Sequence, residues 1–149
     1  VHEGVYQSGL YTEVEMEEYL GRICSSLRWS RAAGGPRIDI RVDAREIRLP
    51  LSQAIPCGLI VNELAVNALK HAFPGERPGA VLVVLAREDP GYRLIVEDDG
   101  VGEAPSGTSV PGIGRTLVES LVSQLRGTVT AAARPDGSGL RVDIRFGPL

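Results

Sequence analysis

A run of apolar residues between two prolines constrains the fold more than any other part of the sequence. Between Pro56 and Pro74, the segment 59–69 is apolar over most of the circumference of the helix it would form. A proline is tolerated only in the first turn of a helix and pushes the preceding residue out of helical space, so the helix should begin between Ser52 and Pro56 and stop by Phe73. A helix that is apolar on nearly all sides must be covered by other elements.

Two further helices and three pairs of strands are predicted around this buried helix. Apolar residues recur at helical spacing over 14–29 and 117–125, while alternation or a β-rich composition marks the strands. Within the first pair, the short segment 47–49 is the expected hairpin partner. The predicted strands are 37–43 with 47–49, 80–87 with 92–98, and 128–134 with 140–146.

The order of these elements predicts the architecture. A helix followed by two strands occurs three times, and strands joined by hairpins pair antiparallel. We therefore expect an α/β fold, a two-layer sandwich in which a mixed, mostly antiparallel sheet carries three helices on one face. The last helix should have Arg126 in its final turn and Gly127 just past its end. Its apolar face should consist of Leu117, Val118, Leu121, Val122 and Leu125.

Composition narrows the class of protein. A chain of 149 residues favours one domain, and a formal net charge of -3 implies no electrostatic attraction to nucleic acid. Cys24 and Cys57 are too few for a disulfide framework and lie in apolar helical contexts, so we expect them in the core of a reduced, cytoplasmic protein. No run reaches the ~18 apolar residues of a membrane span. The sequence opens at Val1 in mid-pattern, and we expect it to be part of a longer protein.

Polar residues form a stripe on the central helix. Glu63 and Asn67 are four residues apart, and Lys70 and His71 follow three and four residues later on the same face. Because unpaired buried polar groups are costly, this stripe needs partners. Carboxylate and carboxamide oxygens suit Mg²⁺, which also favours phosphate. The alternative is a modest helix pair between Glu63 and Asn67, with Lys70 extending to solvent.

A second motif follows the predicted strand 92–98. Asp98 ends the strand, and Gly100 and Gly102 come directly after it. A carboxylate at a strand end can accept a hydrogen bond from a ligand amino group, and glycines let the backbone approach that ligand closely. The alternative is a plain Asp-Gly turn.

A third motif precedes the last helix. Gly112 and Gly114 stand before a predicted helix N-terminus, where free N–H groups can bind an anion or a phosphate. The alternative is an ordinary loop end. The motif is neither a dinucleotide fingerprint, because Leu117 stands where a third glycine would, nor a P-loop.

Together and in this order, the three motifs resemble the catalytic ATP-binding domain shared by histidine kinases, gyrase, the Hsp90 chaperones and MutL. The chain looks most like the histidine-kinase subfamily with an N-E-L-x-x-N-A-x-K-H-A-F-P box, which residues 62–74 match throughout. The resemblance implies the Bergerat-type ATP-binding fold over 13–149. Residues 1–12 look like the tail of a preceding dimerisation and phosphoacceptor domain.

The resemblance also implies roles for the motif residues, with ATP and Mg²⁺ as cofactors. Glu63, Asn67 and Lys70 would be the catalytic groups, and Asn67 and Glu63 would hold the metal. The implied ATP contacts are Asn67, Lys70 and His71 at the phosphates, Asp98 at the adenine amino group, Gly100 and Gly102 beside the base, residues 103–111 as the lid, and Gly112 and Gly114 as the second glycine box.

Two residues depart from the pattern of this family. Leu140 follows Gly139 where the family often has Gly-Thr, so a hydroxyl that supports adenine recognition is missing or is replaced by Ser138. Asp99 stands where many relatives have Asn and adds a negative charge near the pocket.

The function implied is that of a kinase domain in a bacterial two-component sensor. It would transfer the γ-phosphate of ATP to a histidine on an upstream domain, within a homodimer that passes the phosphoryl group to a response regulator. We expect no nucleic-acid partner and no direct membrane insertion by this chain. One alternative is a serine/threonine kinase of the anti-sigma type, in which Glu63 would be a general base. The other is a nucleotide-binding interaction module without turnover.

Overall fold

The computed structural model describes residues 12–30, 38–71, 79–100, 115–134 and 139–148. These residues form seven strands and three helices. None of the described helices has the length and apolar character that crossing a membrane requires. In chain order, the elements are β1 (Glu13–Glu15), α1 (Met16–Ser30), β2 (Ile38–Asp43), β3 (Arg48–Pro50), α2 (Leu51–His71), β4 (Gly79–Glu88), β5 (Gly91–Asp98), α3 (Arg115–Gln124), β6 (Thr128–Ala133) and β7 (Leu140–Phe146).

Five of the strands form one mixed sheet in the order β2-β4-β5-β7-β6. Strands β2 and β4 pair in parallel, and the other three pairings are antiparallel. A parallel pair needs a crossover connection, and here α2 lies within that connection. The predicted hairpin between β4 and β5 is confirmed by its register, in which Glu88 lies opposite Gly91 and Val81 opposite Asp98.

The helices cover one face of this sheet. Along β4, β5 and β7, alternate residues are buried and the residues between them are half-buried or exposed. The fully or nearly fully buried set includes Val81, Val83, Leu94, Val96, Val142 and Ile144 on the strands and Met16, Leu20, Ile60, Val61 and Val118 on the helices. The predicted two-layer α/β sandwich is therefore confirmed. Cys24 and Cys57 are free and buried in this core, as expected, and burial raises the pKa of Cys57 to about 12.

The opposite face of the sheet carries ion pairs between neighbouring strands. Arg93 on β5 lies on the carboxylate of Asp143 on β7, and Arg141 donates to Glu97 at 2.8 Å. Burial alone would raise the pKa of Asp143, but the hydrogen bond and charge of Arg93, with Arg145 and Arg141 nearby, hold that pKa below its usual value. These cross-strand pairs let a polar face stay partly buried.

The predicted pairing of segment 47–49 with the first strand is wrong. β3 pairs instead with β1, antiparallel, in a separate two-stranded sheet. The physical reason is burial: Leu49 is fully buried, and the carbonyl of Ile47 accepts the Met16 N–H at 3.0 Å. The segment is thereby held at the start of α1, so it cannot lie beside β2.

The first helix begins later than its apolar periodicity indicates. Residues 13–15 form β1, and Glu15 caps the helix that follows by accepting the Glu18 N–H at 2.9 Å. A side-chain acceptor three residues before its donor is the geometry of an N-cap, which ends the strand and starts the helix at Met16.

The central helix begins one residue before the predicted window. Because α2 starts at Leu51, Pro56 lies in its second turn and not in its first. Pro56 is buried, as are its helix neighbours Ala54, Cys57 and Gly58, so packing in the core places it there although a proline cannot make the main-chain hydrogen bond. The end of the helix at His71 agrees with the predicted stop before Phe73.

The end of α3 differs from the prediction in one detail. Arg126, with φ of 55°, adopts the left-handed conformation. Its N–H donates to Ser123, and the Gly127 N–H donates to Val122 at 3.0 Å, which is the pattern of a Schellman motif. Gly127 is required for a different reason, since a Cβ there would lie 2.3 Å from the carbonyl oxygen of Arg145.

The apolar face predicted for α3 is confirmed at four of its five residues. Leu117, the fifth, is 48% exposed on the described surface. Its position in the helix explains this: it precedes the buried Val118 by one residue, so about 100° of helical rotation turns it away from the core. The four buried residues are Val118, Leu121, Val122 and Leu125.

Candidate nucleotide site

The half of α2 that carries Glu63, Asn67 and Lys70, here called its polar half, lies toward the same end of the sheet as the end of β5. The Gln53 side chain, near the start of α2, donates to the carbonyl of Gly147 just past β7 at 2.9 Å. β5 runs antiparallel to β7, so its start lies beside Gly147 and its end, Asp98, lies at the far end. Since α2 packs against both β4 and β5 and is about 30 Å long at 1.5 Å per residue, it runs from the Gly147 end toward the Asp98 end.

Asp98 is the buried acid of this region. Its side chain ends β5 with 7% of the residue exposed, and its carboxylate accepts the Gly100 N–H at 2.8 Å and the Leu140 N–H. Burial is the main cause that raises its pKa, and the charge of Asp99 adds to this, while the two N–H groups and Arg134 act in the opposite direction. A desolvated carboxylate with lone pairs left over is a strong acceptor for a ligand N–H.

Gly139, directly before β7, packs against this acid. Its φ is +72°, and a Cβ there would lie 1.8 Å from the main-chain oxygen of Asp98. No L-residue with a side chain fits in this position. The next residue, Leu140, contributes its main-chain N–H to the Asp98 carboxylate, whereas its side chain offers no hydroxyl. Ser138 lies outside the described residues.

Asp99 connects the end of β5 to β4. Its Oδ1 accepts the Ala80 N–H at 2.8 Å, and its own N–H donates to the Ala80 carbonyl at 3.2 Å. The negative charge of Asp99 also contributes to raising the pKa of Asp98.

The described members of the predicted stripe on α2 lie in different environments. Glu63 and Asn67 are half-buried and Lys70 is exposed. The Nδ2 atom of Asn67 is buried and has no hydrogen-bond partner among the described residues. Since a buried donor without an acceptor is costly, a group outside this part of the protein is its expected partner.

The donor set limits how a metal ion could be held. Within the described residues, no three or more histidine, cysteine, aspartate or glutamate side chains converge as a metal site. Glu63 and Asn67 could supply one or two oxygen ligands. Mg²⁺ is commonly held by one or two protein groups plus substrate phosphates and water, so these residues fit Mg²⁺ bound together with a nucleotide.

Several predicted site positions lie outside the described residues. These are the His71 side chain, Gly102, Gly112, Gly114 and the segment 103–111. Of the predicted adenine-side residues, Asp98 and Gly100 are described and are brought together by the hydrogen bond between them. The roles of all these residues remain predictions.

Two open clefts on the described surface lie elsewhere. One of about 790 Å³ lies between α1 and β2 and is lined by residues such as Glu18, Ser25 and Arg41. The other, about 470 Å³, lies at the turn between β2 and β3. Neither contains a predicted site residue.

Sequence reasoning missed three contributions to the site. These are the close approach of Gly139 to Asp98, the main-chain N–H of Leu140 and the hydrogen bonds between Asp99 and Ala80. A glycine directly before a strand was the available signal for the first. The other two depend on contacts between strands that are far apart in the chain.

Comparison with known proteins agrees with this geometry. A family model described as "Histidine kinase-like ATPase domain" matches residues 37–144. The chain is 30% identical over 137 residues to the blue-light-activated histidine kinase 2 of Erythrobacter litoralis, covering 88% of this chain and 38% of that protein. It therefore spans well under half the length of this curated relative.

Solved structures show the same relationship. A histidine kinase domain from a blue-light-activated histidine kinase of Erythrobacter litoralis has a TM-score of 0.74 at 30% identity, covering 89% of this chain and 60% of that one. The mycobacterial sensor histidine kinase MprB has a TM-score of 0.70 at 25% identity, covering 92% of this chain and 98% of that one. The sequence motifs, the sandwich and these matches together establish that this chain belongs to the histidine kinase-like ATPase domain family.

Proposed function

We propose that this domain binds ATP with Mg²⁺ and transfers the γ-phosphate to a histidine on an upstream domain of a two-component sensor. The observation that carries the proposal is the buried Asp98 carboxylate, held by two main-chain N–H groups at the end of the sheet toward which the polar half of α2 runs. The buried, unpartnered Nδ2 of Asn67 supports a ligand on that helix.

One group of residues would contact the base of ATP, and another would contact the phosphates and the metal ion. Asp98 accepts a hydrogen bond from the adenine amino group, and Gly100 and Gly102 let the base come close to the main chain. Asn67 and Glu63 hold Mg²⁺, which when bound neutralises phosphate charge. Phosphoryl transfer depends mainly on positioning and on charge neutralisation, and the exposed ammonium of Lys70, together with His71, supplies further positive charge at the phosphates.

A glycine motif and a lid in this chain, an upstream domain and a separate acceptor protein complete the proposed transfer. The glycines Gly112 and Gly114 would present N–H groups to the phosphates, with residues 103–111 as a lid. The upstream domain, of which 1–12 is the tail, would supply the acceptor histidine and the homodimer contact. A response regulator is the expected final acceptor, in the bacterial cytoplasm.

Isothermal titration of ATP, with and without Mg²⁺, tests the nucleotide site. Asp98→Asn should weaken ATP binding about tenfold or more, because the carboxylate acceptor for the amino group is lost. Asn67→Ala should remove the dependence on Mg²⁺. The matched controls are Asp89→Asn, an exposed aspartate in the β4–β5 turn, and Asn62→Ala, an exposed asparagine on α2; both should bind as the wild type does.

Phosphoryl transfer is tested after the upstream domain is restored. Radiolabelled γ-phosphate should appear on that domain as an acid-labile phosphohistidine. Acid-stable phosphoserine on an added protein would instead support the anti-sigma type of kinase. ATP binding without transfer to the restored domain would support the nucleotide-binding interaction module. Absence of any binding at millimolar ATP would contradict the proposal.

A further inference from the structure

The last rung between β4 and β5 is closed by a side chain. In the register of this pair, Val81 lies opposite Asp98, so Ala80 lies opposite Asp99. In an antiparallel ladder, the two residues of a hydrogen-bonded pair exchange two main-chain hydrogen bonds. One is present, from the Asp99 N–H to the Ala80 carbonyl at 3.2 Å. In the other, the Ala80 N–H donates at 2.8 Å to the Asp99 carboxylate and not to its main-chain carbonyl.

The use of a side-chain oxygen in place of the main-chain carbonyl affects the path that the backbone can take. With its carboxylate on the Ala80 N–H, Asp99 does not need its own carbonyl for the ladder, and the chain can turn away directly after the rung. The turn brings the Gly100 N–H back to the Asp98 carboxylate at 2.8 Å. On the other side, Gly139 packs against the same peptide, since a Cβ there would lie 3.0 Å from the Asp99 Cα.

We infer that Asp99 is a positioning residue for adenine recognition: its side-chain oxygen completes the β4–β5 ladder and so sets the turn that orients the Asp98 carboxylate toward the base. This inference rests on the proposed function, because it concerns how Asp98 selects adenine. The required property of Asp99 is a short side chain with an oxygen acceptor, and its negative charge is not required.

Variants at Asp99 separate the acceptor from the charge. Asp99→Ala removes the acceptor, so the main-chain carbonyl must take its place and the turn must change. Asp99→Asn keeps an oxygen in the same position without the charge. The measurement is the affinity of the full chain for ATP and for GTP, which lacks the adenine amino group, with folding followed by circular dichroism and thermal unfolding.

The expected result is a loss of base selectivity in one variant and its rescue in the other. Asp99→Ala should weaken ATP binding about tenfold, as expected for a lost hydrogen bond to the base, and should leave GTP binding little changed. Asp99→Asn should keep the wild-type preference. Asp43→Ala, which removes an exposed aspartate paired with Arg45, should keep it also.

Four outcomes would overturn the inference or its basis. If Asp99→Ala keeps the wild-type preference for ATP over GTP, or if Asp99→Asn loses it as well, the inference is wrong. If Asp98→Asn leaves ATP binding unchanged, the proposed function itself fails. Should Asp99→Ala not fold, Asp99→Glu replaces it: this variant keeps the charge but displaces the oxygens by one methylene, and a wild-type preference in it would contradict the inference.

Discussion

The Gln53 side chain and the Gly147 carbonyl, separated by 94 residues in the chain, are joined by a hydrogen bond of 2.9 Å. Gln53 lies near the start of α2 and is 5% exposed, and Gly147 follows the last strand. This bond holds the first turn of α2 at one end of the sheet. It thereby directs the polar end of the helix toward Asp98.

Loss of this bond should destabilise the domain without changing its ligand. We expect Gln53→Met, which keeps the length of the side chain, to lower the free energy of unfolding by about 1 kcal/mol, the usual net value of one hydrogen bond. Urea unfolding measures this. Ser52→Ala, at the exposed neighbouring position, should change stability by less than about 0.5 kcal/mol, and an equal loss in both variants would contradict the role given to Gln53.

A side chain at position 139 should damage both the fold and the site. Gly139→Ala forces an L-residue into a positive φ and places its Cβ against the main chain of Asp98, so we expect destabilisation of about 1 kcal/mol or more. ATP affinity should fall with it because the Asp98 main chain must move. Gly147→Ala is the control, since a Cβ there meets nothing within 4 Å. Unchanged ATP affinity in Gly139→Ala would show that Asp98 does not depend on this contact.

We expect Asn67 to lower the stability of the protein when no ligand is bound. Its buried Nδ2 has no partner among the described residues, and a buried donor left unsatisfied costs about 1–3 kcal/mol. We expect Asn67→Leu to unfold at an equal or higher urea concentration than the wild type while its Mg²⁺-dependent ATP affinity falls, a trade-off typical of binding sites. The control is Asn62→Leu on the exposed side of the same helix, which should retain ATP binding. Strong destabilisation by Asn67→Leu would instead identify Asn67 as a structural residue.

The ion pair between Arg93 and Asp143 should make stability depend on acid pH. The pKa of Asp143 is held below its usual value in the folded protein. The carboxylate therefore adds stability above the pKa of the unfolded chain, about 3.9, and this contribution is lost as the pH falls through the lower, folded pKa.

Urea unfolding between pH 7 and pH 3 tests this dependence. Asp143→Asn should lose about 1 kcal/mol at pH 7, the scale of a partly exposed ion pair, and its deficit should shrink as the pH falls. Asp39→Asn, in an exposed pair with Arg41, should differ little from the wild type at any pH. A deficit in Asp143→Asn that does not change with pH would exclude the charge as its cause.

The sequence alone determined most of the elements of this protein, though not β1, and it indicated the family. Periodicity located all three helices and the strands of the main sheet, because burial on one face repeats every two residues in a strand and every 3.6 in a helix. The box 62–74 and the Asp98 motif indicated the ATP-binding family, because chemistry at these sites needs particular residue types at short spacings.

Only the tertiary structure decided how these elements meet. The pairing of β3 with β1, the parallel pairing of β2 with β4 and the use of the Asp99 side chain as a rung all depend on contacts between distant segments. The left-handed Arg126 depends on packing in the same way, because Gly127 must lie against Arg145. Local sequence sets which conformations each segment favours, and the burial of one shared core selects among them.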